Sequence, residues 1–309
     1  MNMNDIIRIK TVTEMHQVSA LSAPKHPLIT LIEASEINNF EKQNNAEYSG
    51  MKISLDMYTI IFKDKLRGSI SYGRTSYDFQ NGTLLFLAPG QVLESHEYEI
   101  SENSNTWFLL FHPDLIRRST LATKMDSYTY FGYESNEALH LSTEEQLYIT
   151  KIVKQVKKEY SQNLDSHSHQ LIISNLELLL NNCLRYYDRQ FYTRSSFNKD
   201  FVSQFERLLK SYFSSNLTLE FGIPKVSYFS KKLLMSPNYL SDMLKKETGY
   251  SAKGHINNIL VERTKSALLG TNESISQIAF SLGFEYPQSL TRLFKSKTGF
   301  SPNDYRRLN

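Results

Sequence analysis

The 309-residue sequence contains a single cysteine, Cys183, which excludes an intramolecular disulfide. Apolar runs are short, as at residues 84–88 and 178–180, whereas a membrane-crossing helix needs about 20 such residues. The first twenty residues scatter Asp5, Arg8, Lys10 and Glu14 among apolar positions, so the continuous core of a secretion signal is missing. These absences point to a cytoplasmic protein without a membrane partner. The phosphate-cradling patterns GxGxxG and GxxxxGK are also missing. His96 and His112 are isolated, while His167 and His169 fall in an expected helix, where residues two apart point about 200° apart and cannot share an ion. Cys183 has Arg185 nearby and no histidine in local reach, a setting for a structural thiol rather than a nucleophile. No metal, cofactor or catalytic residue is expected.

What is present divides the chain. Its length favours two domains, each large enough for its own core. The net charge of +3 hides an asymmetry: residues 1–197 carry 19 Lys and Arg against 23 Asp and Glu, and residues 198–309 carry 16 against 9. A basic half on a slightly acidic one is the footprint of a protein in which only one part meets phosphates.

Between residues 51 and 111 short β-prone runs (MKISLDMYTIIF, GSISYG, GTLLFLA, TWFLLF) are punctuated by Gly68, Gly73, Gly82 and Pro89-Gly90. That spacing predicts an antiparallel sandwich or barrel. Two helices follow. The first, over 142–160, opens with a capping box from Ser142 to Glu145 and turns Leu147, Ile149, Ile152, Val153 and Val156 to one face. The second, over 166–187, repeats Leu171, Ile172, Leu176, Leu179, Leu180 and Leu184 at spacings of three and four. Such a pair serves either to dimerise the chain or to cover the open face of the sheet. A polar stretch over 189–199 is expected to be the linker. The domains then run 1–192 and 200–309, with 193–199 between them.

The basic half contains a repeat. PNYLSDMLKKETGYS (237–251) and PQSLTRLFKSKTGFS (287–301) are offset by fifty residues, with Pro237/Pro287, Leu240/Leu290, Lys245/Lys295, Thr248/Thr298, Gly249/Gly299 and Ser251/Ser301 identical. Each copy predicts a short helix that stops at a glycine, and a longer helix from Ser251 separates them. A chain presenting one short basic helix twice suits a periodic partner such as duplex DNA. The spacer helix, ~27 Å long at ~1.5 Å per residue, places the two copies about one DNA turn (~34 Å) apart.

From residue 201 onward the sequence resembles the DNA-binding domain of the AraC/XylS family of bacterial transcription regulators. The resemblance rests on RTKSALL (263–269), Ile278-Ala279, Gly283-Phe284-Glu285, LTRLFK (290–295), Gly299, Ser301-Pro302 and Tyr305-Arg306. It implies an α+β chain whose all-α C-terminal domain has two helix-turn-helix units joined by a long helix. Helical geometry and the family pattern together make Leu240, Met243, Leu244, Leu290, Leu293 and Phe294 core. They turn Asn238, Ser241, Asp242, Gln288, Ser289 and Arg292 toward base edges, and Lys245 and Lys295 toward phosphates. Ser230 and Leu290 depart from the family pattern. So does Asp242, which repels phosphate and makes the first helix the poorer reader.

Residues 77–91 resemble part of the cupin-like sensor domain of many AraC-family members. Aromatic side chains on the expected strands, Tyr58, Phe62, Tyr72, Tyr77, Phe79, Trp107 and Phe108, would surround a pocket for a sugar or an aromatic compound, or simply fill the sandwich. The resemblance implies a regulator, more usually an activator that contacts RNA polymerase, bound to promoter DNA as a homodimer and answering a small-molecule effector. Two other readings stand beside it: an N-terminal half that only dimerises, and a cupin-type enzyme fused to a DNA-targeting module.

Overall fold

Strands alternating apolar residues between two faces build a pair of packed sheets in the first half of the computed structural model. The structure describes residues 6–33, 35–36, 52–64, 66–72, 75–78, 82–94, 98–100, 104–134, 137–193, 195–215 and 217–308, with the backbone alone at 66–72, 75–78, 93–94, 98–100 and 195–197. The chain divides into two units, Met1–Tyr192 and Thr193–Asn309.

In the first unit one sheet has the order β1-β3-β8-β5-β6, with β9 also on β5. Its strands are β1 (Ile6–Ile9), β3 (Lys52–Leu55), β5 (Leu66–Tyr72), β6 (Thr75–Asp78), β8 (Val92–Glu94) and β9 (Tyr98–Ile100). The other sheet has the order β11-β7-β4-β10-β2, from β2 (Ile29–Glu33), β4 (Tyr58–Lys63), β7 (Thr83–Leu87), β10 (Trp107–Phe111) and β11 (Leu139–His140). All described pairings are antiparallel except β1 with β3, which is parallel. The expected wholly antiparallel sheet is corrected there: helix α1 (Val12–Val18) follows β1, and the chain crosses to the second sheet before returning as β3.

The core has two layers. Between the sheets, Ile9 and Leu55 of the first meet Ile32 and Leu110 of the second. On the opposite face of the second sheet, Phe86 packs against Tyr130 (ring centroids 4.5 Å apart) and Tyr187 (6.0 Å). Short helices α2 (Pro113–Ile116) and α3 (Thr120–Lys124) lead to the 3-10 turns that carry Tyr130, and α4 (Thr143–Ser161) and α5 (Ser168–Thr193) follow. Ser142 and Glu145 form the predicted capping box on α4. Near its other end the Tyr160 hydroxyl accepts the Leu31 amide at 2.8 Å, and Lys157 pairs with Glu33 at 2.6 Å. These contacts tie α4 to β2.

Three expectations fail in these helices. Leu147, assigned to the buried face of α4, is 70% exposed, and Leu171 of α5 is 46% exposed, because each lies at the margin of its apolar stripe. The predicted linker is helical on both sides of residue 194. Its first part continues α5 because Gln190 exchanges hydrogen bonds with the His140 amide and Ala138 carbonyl (2.8 and 3.1 Å), and Arg189 donates to the His140 carbonyl at 2.7 Å. The end of α5 is thereby fastened to β11.

The second unit is helical: α6 (Ser195–Ser214), α7 (Leu217–Phe221), α8 (Val226–Leu233), α9 (Pro237–Thr248), α10 (Ala252–Gly270), α11 (Ile275–Ser281), α12 (Pro287–Thr298) and α13 (Pro302–Leu308). Helices α6, α8 and α9 pack on one another; α11, α12 and α13 pack on α10, which also receives α9. The turns before α9 and α12 are equivalent but unequal in length. Leu234 (φ 56°) and Gly283 (φ 84°) adopt the left-handed conformation, and the following amides return to Ser230 O (3.0 Å) and Ala279 O (2.9 Å). The offset is forty-nine here and fifty beyond, so the second turn has one extra residue. Ser230 and Ala279, both buried, are therefore counterparts, and the Ser230 hydroxyl is satisfied by Ser227 O at 3.4 Å.

The two left-handed residues invite opposite substitutions. Leu234 is 79% exposed, so Leu234→Gly loses little packing, removes the ~1–2 kcal/mol left-handed penalty of a side chain and restores ~0.5–1 kcal/mol of unfolded-state entropy. A net stabilisation of about 0.5–1 kcal/mol is expected. A Cβ on Gly283 would lie 2.8 Å from the Gly222 carbonyl carbon and 2.9 Å from Thr218 O, so Gly283→Ala should cost about 1–3 kcal/mol. Urea unfolding of the two variants checks both signs.

Candidate nucleic-acid interface

The sequence repeat is also a repeat of hydrogen bonds. Pro237 and Pro287 take the first helical position, where a missing N–H is harmless. Both helices stop at a left-handed glycine, Gly249 and Gly299, each at φ 81°. Their amides donate to Lys245 O (3.0 Å) and Lys295 O (2.9 Å). Thr248 Oγ1 donates to Leu244 O at 2.7 Å and accepts the Tyr250 amide at 3.2 Å; Thr298 Oγ1 does the same with Phe294 O at 2.8 Å and the Phe300 amide at 3.2 Å. Ser251 and Ser301 then cap the next helices through the Gly254 and Asp304 amides, both at 3.2 Å.

With the ends fixed, the apolar faces decide which side chains turn outward. Leu240, Met243 and Leu244 are buried on α9, Leu290 and Phe294 on α12, and Leu293 is half-buried. On α12 the opposite face holds Gln288, Ser289, Arg292 and Lys295, all exposed. These groups suit base edges and phosphates: an amide that can pair with adenine, a guanidinium that can pair with guanine, and an ammonium one turn on. On α9 the counterparts are less available. Asn238 and Lys245 are exposed, but Ser241 and Asp242 are half-buried, and Asn238 and Asp242 already take part in interactions within the protein. Tyr239 is buried where its counterpart Ser289 is exposed, a difference that only the packing reveals.

Residues 229–308 match the family model for a helix-turn-helix domain. The chain is 22% identical over 293 residues to the Msm operon regulatory protein of Streptococcus mutans, covering 91% of this chain and 98% of the relative. It is 37% identical over 70 residues to the HTH-type transcriptional regulator YobQ of Bacillus subtilis, covering 23% of this chain and 29% of that protein's length. The C-terminal domain of AraT, a response regulator from Geobacillus stearothermophilus, aligns at 29% identity and a TM-score of 0.32 over 35% of this chain and 85% of that domain. The C-terminal unit is a helix-turn-helix domain of the AraC type. The chain thus carries a DNA-binding domain of the kind found in the transcriptional regulators it resembles.

In the first unit, the expected pocket residues do not share one cavity. Trp107 pairs across the strands with Phe62, and Phe111 with Tyr58, so these four lie on the helix-covered face of the second sheet. Tyr58 stacks on Phe111 and meets Phe131, each at 5.1 Å, while Phe62 stacks on Trp107 at 5.6 Å. Phe108 points the other way, packing with Ile61, Leu85 and Leu87 between the sheets, because neighbours on a strand alternate. Tyr72 and Tyr77 belong to β5 and β6, and their side chains, like the whole of Phe79, lie outside the described residues. So does His96. His112 accepts the Asp114 amide at 3.2 Å, and His169 meets Leu115 O at 2.9 Å. Cys183 is fully buried, which pushes its thiol pKa well up. Among the described residues no group of three His, Cys, Asp or Glu is placed to hold a metal, and no helix is long and apolar enough to cross a membrane.

One histidine of the AraC-type domain escaped the sequence reading. His255 Nε2 lies 2.7 Å from Thr248 Oγ1. That hydroxyl already donates to Leu244 O, so it accepts from the ring, and Nε2 carries the proton. In the second copy Tyr305 stands fifty residues on, with its ring edge-on to Phe294 at 5.3 Å. The stop of α9 is thus tied to α10 by an imidazole. Burial lowers the His255 pKa below 6.5. The unfolded chain consequently binds the proton more readily, and the contribution of His255 to stability is full above pH 6.5 and declines as pH falls toward the folded pKa. Proton NMR titration of the ring should give a midpoint below 6.5, and a midpoint at or above that value contradicts the assignment.

Proposed function

We propose that the chain is a sequence-specific activator in which α8–α9 and α11–α12 form two helix-turn-helix units placing α9 and α12 in successive major-groove segments of promoter DNA. The carrying observation is the exposed face of α12, where Gln288, Ser289, Arg292 and Lys295 stand together on a helix whose ends repeat those of α9. Helix α10, 19 residues or about 28 Å long, is the spacer. Gln288, Arg292 and Asn238 are the principal base readers, with Ser241, Asp242 and Ser289 beside them, and Lys245 and Lys295 bind phosphates. Because Asp242 is acidic and half-buried, α12 carries more of the specificity.

The first unit acts as the signal-receiving and dimerising half, with a cupin-like barrel formed by its two sheets. Thr59 is a buried polar side chain on the strand face that carries Ile61 and Leu85, and its hydroxyl meets no partner among the described residues, which supports a polar effector such as a sugar. Dimerisation is supported by a stripe on α5: Leu171 (46% exposed), Asn175, Leu178 (43% exposed) and Asn182 recur at heptad spacing. The likeness to the Msm operon regulatory protein over almost its full length supports control of an operon. RNA polymerase is the further partner that an activator would contact.

Two measurements test these assignments. Arg292→Ala should weaken binding to the specific site by ~1–3 kcal/mol while sparing random DNA, whereas Lys295→Ala should weaken both alike and flatten the salt dependence. Equal losses on both DNAs for both variants would remove the readout role of Arg292. Paired substitution of Leu171 and Leu178 by Glu should convert a dimer to a monomer in sedimentation, and an unchanged dimer would move the interface elsewhere.

A further inference from the structure

A cleft of the first unit lies outside the packed core between its sheets. It measures ~570 Å³, between the end of the β4–β10 pair and α4, within the ~300–1,000 Å³ range of small-molecule sites. Its floor is apolar. Phe62, almost fully buried and stacked on Trp107 at 5.6 Å, closes its base, and the accessible apolar surface comes from Leu147, which borders the cleft at 70% exposure. Along the α4 wall stand Lys151, Lys154 and Lys158, spanning ~10 Å at about 1.5 Å per residue.

These lysines differ from others of the same unit. Lys157 is paired with Glu33 and Lys124 with Glu177, whereas Lys151, Lys154 and Lys158 have no carboxylate partner among the described residues. Among the described residues Asp64 is the one carboxylate in the lining, and it is occupied by the Asn105 amide (3.2 Å) and side chain (2.9 Å). Its carbonyl also accepts from Thr106 Oγ1 at 3.0 Å, which braces this end of the cleft. At the other end Gln146 donates to Leu141 O at 3.2 Å and lies over Gly82, where any Cβ would fall 2.0 Å from Gln146 Nε2. The cleft therefore has fixed ends, an exposed leucine at its edge and an excess of ammonium groups among its described lining residues, in the half of the chain that is net acidic. The Trp107 indole N–H, buried above the same ring, meets no acceptor among the described residues.

We infer that this cleft binds a small amphipathic organic anion, with an apolar body against Leu147 and a phosphate or carboxylate head among Lys151, Lys154 and Lys158. Neither half of such a ligand suffices alone: the open lysines are too exposed to hold a bare anion strongly against solvent, and the floor is too small for an apolar molecule without the charge.

The chain's only tryptophan is the reporter, because Trp107 stacks on the floor residue. The full-length protein is titrated with hexyl phosphate, using Trp107 fluorescence and calorimetry, alongside inorganic phosphate and 1-hexanol. The expected result is one saturable site that perturbs Trp107 and binds hexyl phosphate at least tenfold tighter than either control. The triple variant Lys151→Ala, Lys154→Ala, Lys158→Ala should keep its thermal midpoint and lose at least tenfold in affinity, and Leu147→Ala should lose at least threefold. Absence of a saturable site, equal affinity for hexanol, or unchanged affinity in the triple variant overturns the inference.

Discussion

The C-terminal unit depends on left-handed residues at both ends of its two short helices. Leu234 and Gly283 reverse the chain before α9 and α12, and Gly249 and Gly299 stop those helices after twelve residues of helix. Only with both ends fixed does burial of Leu240 and Leu244, or of Leu290 and Phe294, determine which side chains remain outside. The outward faces of α9 and α12 are consequences of that arrangement. So is the start of α10, whose cap, Ser251, lies two residues beyond Gly249.

The copies share a frame but not a surface. Tyr239 is buried where Ser289 is exposed, and Asp242 is half-buried and engaged where Arg292 is exposed. The first copy is tied to the spacer by the His255–Thr248 hydrogen bond, while the second uses the Tyr305 ring against Phe294. Arg306 adds to the second copy's anchoring by donating to Leu268 O (3.0 Å) and Glu273 O (2.8 Å), which joins α13 to the end of α10. The two copies thus keep one backbone frame, while α12 presents an exposed polar face and α9 a more internally occupied one.

Much of this was legible in the sequence because the deciding signals were local. Glycine stops, proline starts, the Ser142–Glu145 capping box and apolar spacing placed α4, α5, α9, α10 and α12 and the strands β3, β4, β5, β7 and β10. What escaped depended on partners distant in sequence. Leu234 does not announce a left-handed turn, since nothing in leucine favours one; the surrounding helices impose it. The stretch after residue 188 reads as a linker by polarity, yet Arg189 and Gln190 are polar because they hydrogen-bond to β11. Leu147 and Leu171 match the apolar period but lie at its margin, where the facing element decides exposure. For the aromatic set, strand alternation separates Trp107 from Phe108, and pairing register was needed to see which face each one joins.

One chain that lays its repeated helices unequally on successive major-groove segments should leave an unequal footprint on DNA. A hydroxyl-radical footprint of the full-length protein on its promoter site, combined with base-pair substitution across that site, tests it most directly. The account predicts protected patches one helical turn apart, ~10 base pairs, on one face of the duplex. Substitutions under α12 should cost more affinity than those under α9. A single protected patch, or equal penalties in the two segments, would contradict it.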